Sequence, residues 1–158
     1  MELTPDELAG VLDVVGPLTR AELIQACGEL AFKRGADTDG AEFEAATEAA
    51  LSTYHLVAVG GHDTAADAPL LVVGPTAFPA IPDGAEDLPH ILDVPARSFS
   101  RAVAARAAET RFREDAAAAV EAGDDTRIEA LLDVSYELEA WGPVELATTR
   151  ERLDDATH

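Results

Sequence analysis

Three amphipathic helices can be read in the first third of the chain. Leu8, Val11, Leu12 and Val15 form one apolar stripe. Ahead of it Thr4 stands at the N-cap, Pro5 at the first helical position and Glu7 where it closes a capping box, with Leu3 set to staple on Leu8. Gly16-Pro17 stops this helix. The device then repeats: Thr19 caps, Glu22 closes the box, Leu18 staples to Leu23, and the stripe Leu23, Ile24, Cys27, Leu30 and Ala31 runs to about Arg34 before Gly35. A third start falls at Asp39, with Glu42 at the box position. Phe43, Ala46, Thr47, Ala50, Leu51 and Tyr54 then share a face at 100° per residue.

The period changes after His55. Leu56-Val57-Ala58-Val59 and Leu70-Leu71-Val72-Val73 are short apolar runs bounded by Gly60-Gly61, Pro69 and Gly74-Pro75, which is the pattern of strands, with a polar loop between them. Three helices followed by a two-stranded hairpin is the order of a winged helix-turn-helix, and Leu18 lies where that fold often carries a small extra strand. The expected class is mainly α (α+β): a winged-helix-like domain over residues 1–74, a Pro-rich packed connector over 75–97, and a helical extension over 98–158. The connector holds Pro75, Pro79, Pro82, Pro89 and Pro95, yet Phe78, Ile81, Leu88, Ile91, Leu92 and Val94 make it too apolar for a free linker. Beyond it a helix is expected from Ser98 or Ser100 to about Ala122. A second runs from an Asp124 or Asp125 cap to Trp141, with Ile128, Leu131, Leu132, Val134, Leu138 and Trp141 on one arc. A short last one spans Pro143 to Leu153.

Charge changes how the polar positions are read. The 158 residues carry a net charge of −20, Lys33 is the only lysine, there is no Asn, Gln25 is the only Gln, and Ala is abundant. This composition excludes a basic nucleic-acid arm, a polybasic membrane anchor and a lysine-centred active site. The charge is spread evenly, at −8, −6 and −6 over residues 1–60, 61–95 and 96–158, so no segment is an acidic tail. At molar salt the Debye length falls to ~3 Å and such self-repulsion is largely screened, which points to a protein adapted to a salty cytosol. No apolar run approaches the ~18 residues of a spanning helix, and Met1-Glu2-Leu3 lacks the layout of a signal peptide, so a soluble, cytoplasmic protein is expected.

Candidate chemistry is sparse. Cys27, the single cysteine, lies on the apolar stripe of the second helix, where a small thiol packs as a hydrophobe. Of the four histidines only His62, beside Asp63 in the loop between the strands, adjoins a carboxylate, and no further ligand stands at metal-binding spacing. Glu44 with Glu48, or Glu129 with Asp133, have the spacing of an acid pair, but among 31 acidic residues such spacings arise from composition alone. Neither GxGxxG nor GxxxxGK[ST] occurs. No catalytic residue, metal ligand or cofactor is expected, and an enzyme built on His62 and Asp63 is the weakest of three readings.

DNA binding is the second reading. In a winged helix that reads DNA, the third helix offers Arg, Lys, Asn or Gln to the major groove. Here its outer face is Glu44, Ala45, Glu48, Ala49 and Ser52, which disfavours direct readout and leaves the wing with Arg20, Lys33 and Arg34. Missing basicity is weaker evidence than usual at high salt. Five phosphate contacts give a slope of about −4.5, so moving from ~0.15 to ~3 M salt costs a basic protein about six decades of affinity. The first reading is a non-enzymatic module for protein interaction or self-association, in a setting of transcription or genome maintenance. Its candidate surfaces are the outer face of the second helix, with Ala21, Gln25, Gly28 and Phe32 near Lys33 and Arg34, and an arginine belt. In the belt Arg97, Arg101 and Arg111 fall on one side of a helix and Arg106 with Arg113 on the other. The helix-two face is expected to be covered, either by the C-terminal helices or by a second subunit, and the belt to be paired largely within the chain.

The paired starts Leu3-Thr4-Pro5-Asp6-Glu7-Leu8 and Leu18-Thr19-Arg20-Ala21-Glu22-Leu23, the ending Phe32-Lys33-Arg34-Gly35 and the lysine-poor acidic background resemble a group of small haloarchaeal proteins of unknown function. The resemblance covers most of the chain. It implies a halophilic, cytoplasmic origin and brings no catalytic residues with it.

Overall fold

A computed structural model of the protein describes residues 1–37, 39–60 and 68–157. The chain forms two compact units, residues 1–99 and 100–158. The whole is mainly helical, with one small antiparallel sheet.

The first unit opens with α1 (Pro5–Val15), β1 (Leu18–Thr19) and α2 (Arg20–Lys33). Both helices begin in complete capping boxes: Thr4 with Glu7, and Thr19 with Glu22, each pair satisfying two backbone donors that a helix start leaves open. Gly16, with φ of 102°, turns the chain out of α1. The third helix, α3 (Gly40–Ser52), is capped by Asp39 alone, whose carboxylate accepts from the Ala41 N–H, while Glu42 lies 3.9 Å from the Met1 ammonium. Tyr54, expected on the α3 stripe, lies beyond the helix in the left-handed region at φ 64°, and is nonetheless buried.

That corner delivers β2 (Leu56–Val59), which pairs antiparallel with β3 (Leu70–Val73); β1 pairs with the other edge of β3, giving the order β1-β3-β2. Leu18 sits opposite Leu71 and Leu56 opposite Val73. As the central strand, β3 buries Leu70, Leu71 and Val72 in succession. Gly74 follows because the backbone closes on the Tyr54 corner: a Cβ there would stand 2.2 Å from the Tyr54 carbonyl oxygen, and the Gly74 N–H donates to His55 O at 2.8 Å.

The proline-rich stretch after β3 packs onto this unit. A 3₁₀ turn (Ala85–Asp87) and the one-turn α4 (Leu88–Ile91) place Ala85, Leu88 and Leu92 in the same core as Leu8, Leu12, Leu23, Leu30 and Phe43. Recurring prolines prevent a continuous helix, so the apolar side chains reach the core from turns.

The second unit contains α5 (Arg101–Ala122), α6 (Asp125–Trp141) and α7 (Ala147–Ala156). Ser100 caps α5, Gly123 at φ 63° ends it, and Asp124 caps α6 by accepting from the Arg127 N–H. The face of α5 toward its neighbours is Ala104, Ala105, Ala108, Phe112, Ala116 and Ala119; α6 answers with Ile128, Leu131, Val134, Ser135 and Leu138. The last helix starts later than the Pro143 expected from the sequence and runs past Leu153. Val144 and Leu146 are buried from the non-helical segment before it, and the Leu146 N–H donates to Glu139 Oε2 at 2.8 Å, which holds those residues out of a helix.

Candidate functional site

The outer face of α2 is open. Phe32, in the last turn, is 76% exposed; Ala21 and Gln25 are exposed, and nothing lies within 4 Å of where a Gly28 Cβ would sit. No element of the first unit covers this face. The opposite stripe explains how α2 is held: Leu23, Ala26, Cys27, Leu30 and Ala31 are buried, so the helix is anchored from one side and presents the other.

Bases around this face are already engaged. Arg20 Nη1 lies 3.4 Å from Glu44 Oε2 and Nη2 lies 3.0 Å from Glu48 Oε2, so one guanidinium bridges both carboxylates on the outer face of α3. Lys33 Nζ reaches Asp87 Oδ2 at 3.0 Å, and Arg34 Nη2 donates to the Asp83 carbonyl at 3.0 Å. Lys33 and Arg34 therefore fasten the 3₁₀ segment to the end of α2. All three bases expected for phosphate contact make contacts within the chain.

The arginine belt is not carried by one helix. Because α5 begins at Arg101, Arg97 is not on that helix and belongs to the first unit. Its guanidinium forks onto Glu22, with Nη1 to Oε1 at 2.6 Å and Nη2 to Oε2 at 3.1 Å, and also donates to Pro17 O. Glu22 Oε1 accepts the Thr19 N–H as well, so the box that starts α2 is continued into an ion pair. The Arg97 fork holds the Glu22 carboxyl below its ordinary range against the opposing effect of burial, with Thr19 assisting; Arg97 is raised in return. In the second unit Arg101 lies over the Trp141 ring at 4.7 Å and donates to Trp141 O, Arg111 pairs with Asp115, and Arg113 with Glu109.

The model of a family of unknown function, DUF7109, matches residues 6–158. The chain belongs to that family. The DUF7109 match runs through both units. No curated protein and no solved structure matches the chain.

Two features of this DUF7109 chain escape a reading of the sequence. One is an open groove of about 990 Å³ between α5 and α7, floored by Ala116, Ala117 and Val120 and rimmed by Arg113, Glu121 and Arg152. The other is a polar cluster at the Tyr54 corner. The His55 Nδ1 lies 2.7 Å from Thr53 Oγ1, and Nε2 lies 3.6 Å from Asp6 Oδ1. Neither could be found from spacing, since each joins elements remote in sequence.

The remaining chemistry is quickly placed. Burial pushes the Cys27 thiol up to about 12, which keeps it from acting as a thiolate at neutral pH. His62 and Asp63 lie outside the described residues. Among the described residues, no group of three His, Cys, Asp or Glu side chains could hold a metal ion, and no helix is long and apolar enough to cross a membrane.

Proposed function

We propose that the protein is a non-enzymatic interaction module, built on a winged-helix-like first unit and working in the salt-rich cytoplasm of a halophile, in transcription or genome maintenance. Support for the winged-helix reading comes from the order α1-β1-α2-α3-β2-β3, with β1 pairing onto the hairpin. The observation that carries the interaction role is the open α2 face, on which Phe32 is presented to solvent at 76% exposure beside Gly28. A glycine and an alanine next to an exposed aromatic let a partner helix approach closely and bury the ring. Against a DNA reader stand the Glu44 and Glu48 carboxylates on α3 and the engagement of Arg20 with both.

The test is a photo-crosslinking side chain placed at position 32 in the native cell, with position 129 as an exposed control. A discrete protein adduct at 32 and none at 129 is expected. Phe32→Glu in the purified chain should leave the melting temperature unchanged, because the face is open. Absence of any adduct, or a destabilised Phe32→Glu chain, overturns the reading. Fluorescence polarisation with genomic DNA fragments at about 2–3 M KCl should show no binding; saturable binding there favours a DNA regulator instead.

A further inference from the structure

The groove of the second unit has α5 for one wall and α7 for the other. On the α5 wall Arg113, Ala117 and Glu121 stand four residues apart, so they succeed one another along one side of the helix. All three are exposed, and Val120 beside them is 38% exposed, whereas Phe112, Ala116 and Ala119 of the same helix are buried. Arg106, two turns before Arg113 on the same side, is exposed as well.

Charge on this helix is divided along its length. Residues 101–113 carry four arginines against one acid, a net +3 in a chain of −20, whereas residues 114–125 carry five acids and no base. On the groove side the division is Arg106 and Arg113 against Glu121. Arg113 is held only by Glu109, at 3.3 Å and with its side chain 57% exposed, and such surface pairs restrain a side chain weakly. Arg106 and Glu121 form no ion pair among the described residues. What the groove accepts follows from this division. A basic helix is drawn to Glu121 and repelled by Arg106 and Arg113, and an acidic helix meets the reverse. A helix that suits both ends carries the same division and runs antiparallel, which is what a second α5 supplies.

We infer that two copies of this chain associate through α5, antiparallel and related by a twofold axis at Ala117. That axis sets Arg113 of each copy opposite Glu121 of the other, because both stand four residues from Ala117. The small side chain at the crossing lets the two backbones approach, and Val120 of each copy is covered by the Ala117 turn of the other. Arg106 of each copy is brought toward the acidic end of the other helix, where Asp124 and Asp125 follow Glu121. The contact uses neither Phe32 nor the rest of the α2 face, so it is independent of the interaction role proposed for that face.

Sedimentation equilibrium of the full chain at about 1 M KCl tests this, since a Debye length of ~3 Å screens the long-range repulsion of two acidic chains and acts less on charges in contact. The wild type is expected to be a dimer. Arg113→Glu and Glu121→Arg, made separately, each set like charges opposite one another twice and should weaken the dimer at least about tenfold. Mixed in equal amounts, the two variants should form a one-to-one dimer, because each then meets its opposite at both positions. That recovery separates a lost contact from a misfolded chain. Ala117→Cys should form a disulfide-linked dimer under mild oxidation, while Ala118→Cys, exposed on the neighbouring side of the helix, should not. Buried Cys27, its thiol pushed up to about 12, does not compete. A monomeric wild type, a dimer indifferent to both charge reversals, two variants that stay monomeric when mixed, or equal crosslinking at positions 117 and 118 would each overturn the inference. A dimer lost in Phe32→Glu but not in Arg113→Glu would overturn it too and place self-association on α2.

Discussion

The two units solve the same packing problem with different materials. In the first, bulky side chains from helices and strands meet in one core: Leu8, Leu18, Leu23, Leu30, Phe43, Leu56 and Leu88 are all fully or almost fully buried. In the second, α5 turns mainly alanine inward, with Phe112 the one large exception. Alanine lets helices come close; a Cβ on Gly142 would stand 2.2 Å from Ala105 Cβ. Close approach buries little area per residue, however, and arginine makes up the difference. Arg101 joins α5 to Trp141 on α6, Arg127 joins α6 to Asp115 on α5, and Arg150 joins α7 to Ser135, Tyr136 and Glu139 on α6. Only arginine offers both a fork for carboxylates and a plane for aromatic rings, which gives a physical reason for the near absence of lysine here.

The largest test of this contrast is Phe112→Ala. Phe112 is the one large side chain that α5 buries, so its truncation leaves a cavity and a loss of about 3–5 kcal/mol is expected. Trp141, the single tryptophan, reports on the second unit alone, whereas far-UV circular dichroism reports on both. The fluorescence transition should shift to much lower denaturant while a second dichroism transition persists. Coincident transitions in wild type and variant would show that the two units unfold as one and that the contrast in materials has no thermodynamic counterpart.

This division also governs what could be read in the sequence. Capping boxes are local: Thr4 with Glu7 and Thr19 with Glu22 are three residues apart, so their chemistry is visible without a fold, and both helix starts fall where that spacing puts them. The strand runs 56–59 and 70–73 were legible for the same reason, being short apolar blocks between turn residues. What escaped depends on distant partners. Arg97 reads as part of a helix until Glu22, 75 residues earlier, is seen to hold it. The start of α7 is decided by the Glu139 carboxylate and not by Pro143. Among so many acidic residues no pattern marks Asp6, Glu22 or Glu139 as the ones that accept structural donors. For the candidate site, Phe32 and Gly28 could be placed on one outer face from helical spacing, but whether that face was covered could not.

A smaller effect sharpens the comparison from the first unit. Gly10→Ala drives a methyl group onto the Ala80 carbonyl, and backbone on both sides gives way poorly, so a loss of about 2 kcal/mol is expected despite the better helix propensity of alanine. The fluorescence transition of Trp141 should not move. Hydrogen exchange at the Phe78 and Ala80 amides should speed up first, since their acceptors lie on Asp6. A Gly10→Ala chain of wild-type stability would mean that the connector lifts from α1 at little cost.

The smallest effect separates the units by pH. Each contains a carboxylate that caps a backbone N–H and receives an arginine: Glu22 with Arg97, and Glu139 with Arg150. The Arg150 guanidinium, then the Leu146 N–H, hold Glu139 below the ordinary carboxylate range against a smaller effect of burial. A carboxyl lowered in the folded state lends stability that is fully present above its unfolded value near ~4.3 and is lost as pH falls through the lowered value. Arg150→Ala removes the main cause, so the folded and unfolded values draw together and that acid-sensitive contribution shrinks. At neutral pH the variant should lose about 1 kcal/mol, the pair being partly solvated, and its deficit relative to wild type should narrow as the solution is acidified below pH ~4. Trp141 fluorescence should register this loss and the dichroism of the first unit should not. Arg97→Ala should do the reverse, and by more, because its pair is less exposed, at 11% and 20%. If either substitution shifted both transitions equally, acid stability would be a property of the whole chain's charge and not of two separate clamps.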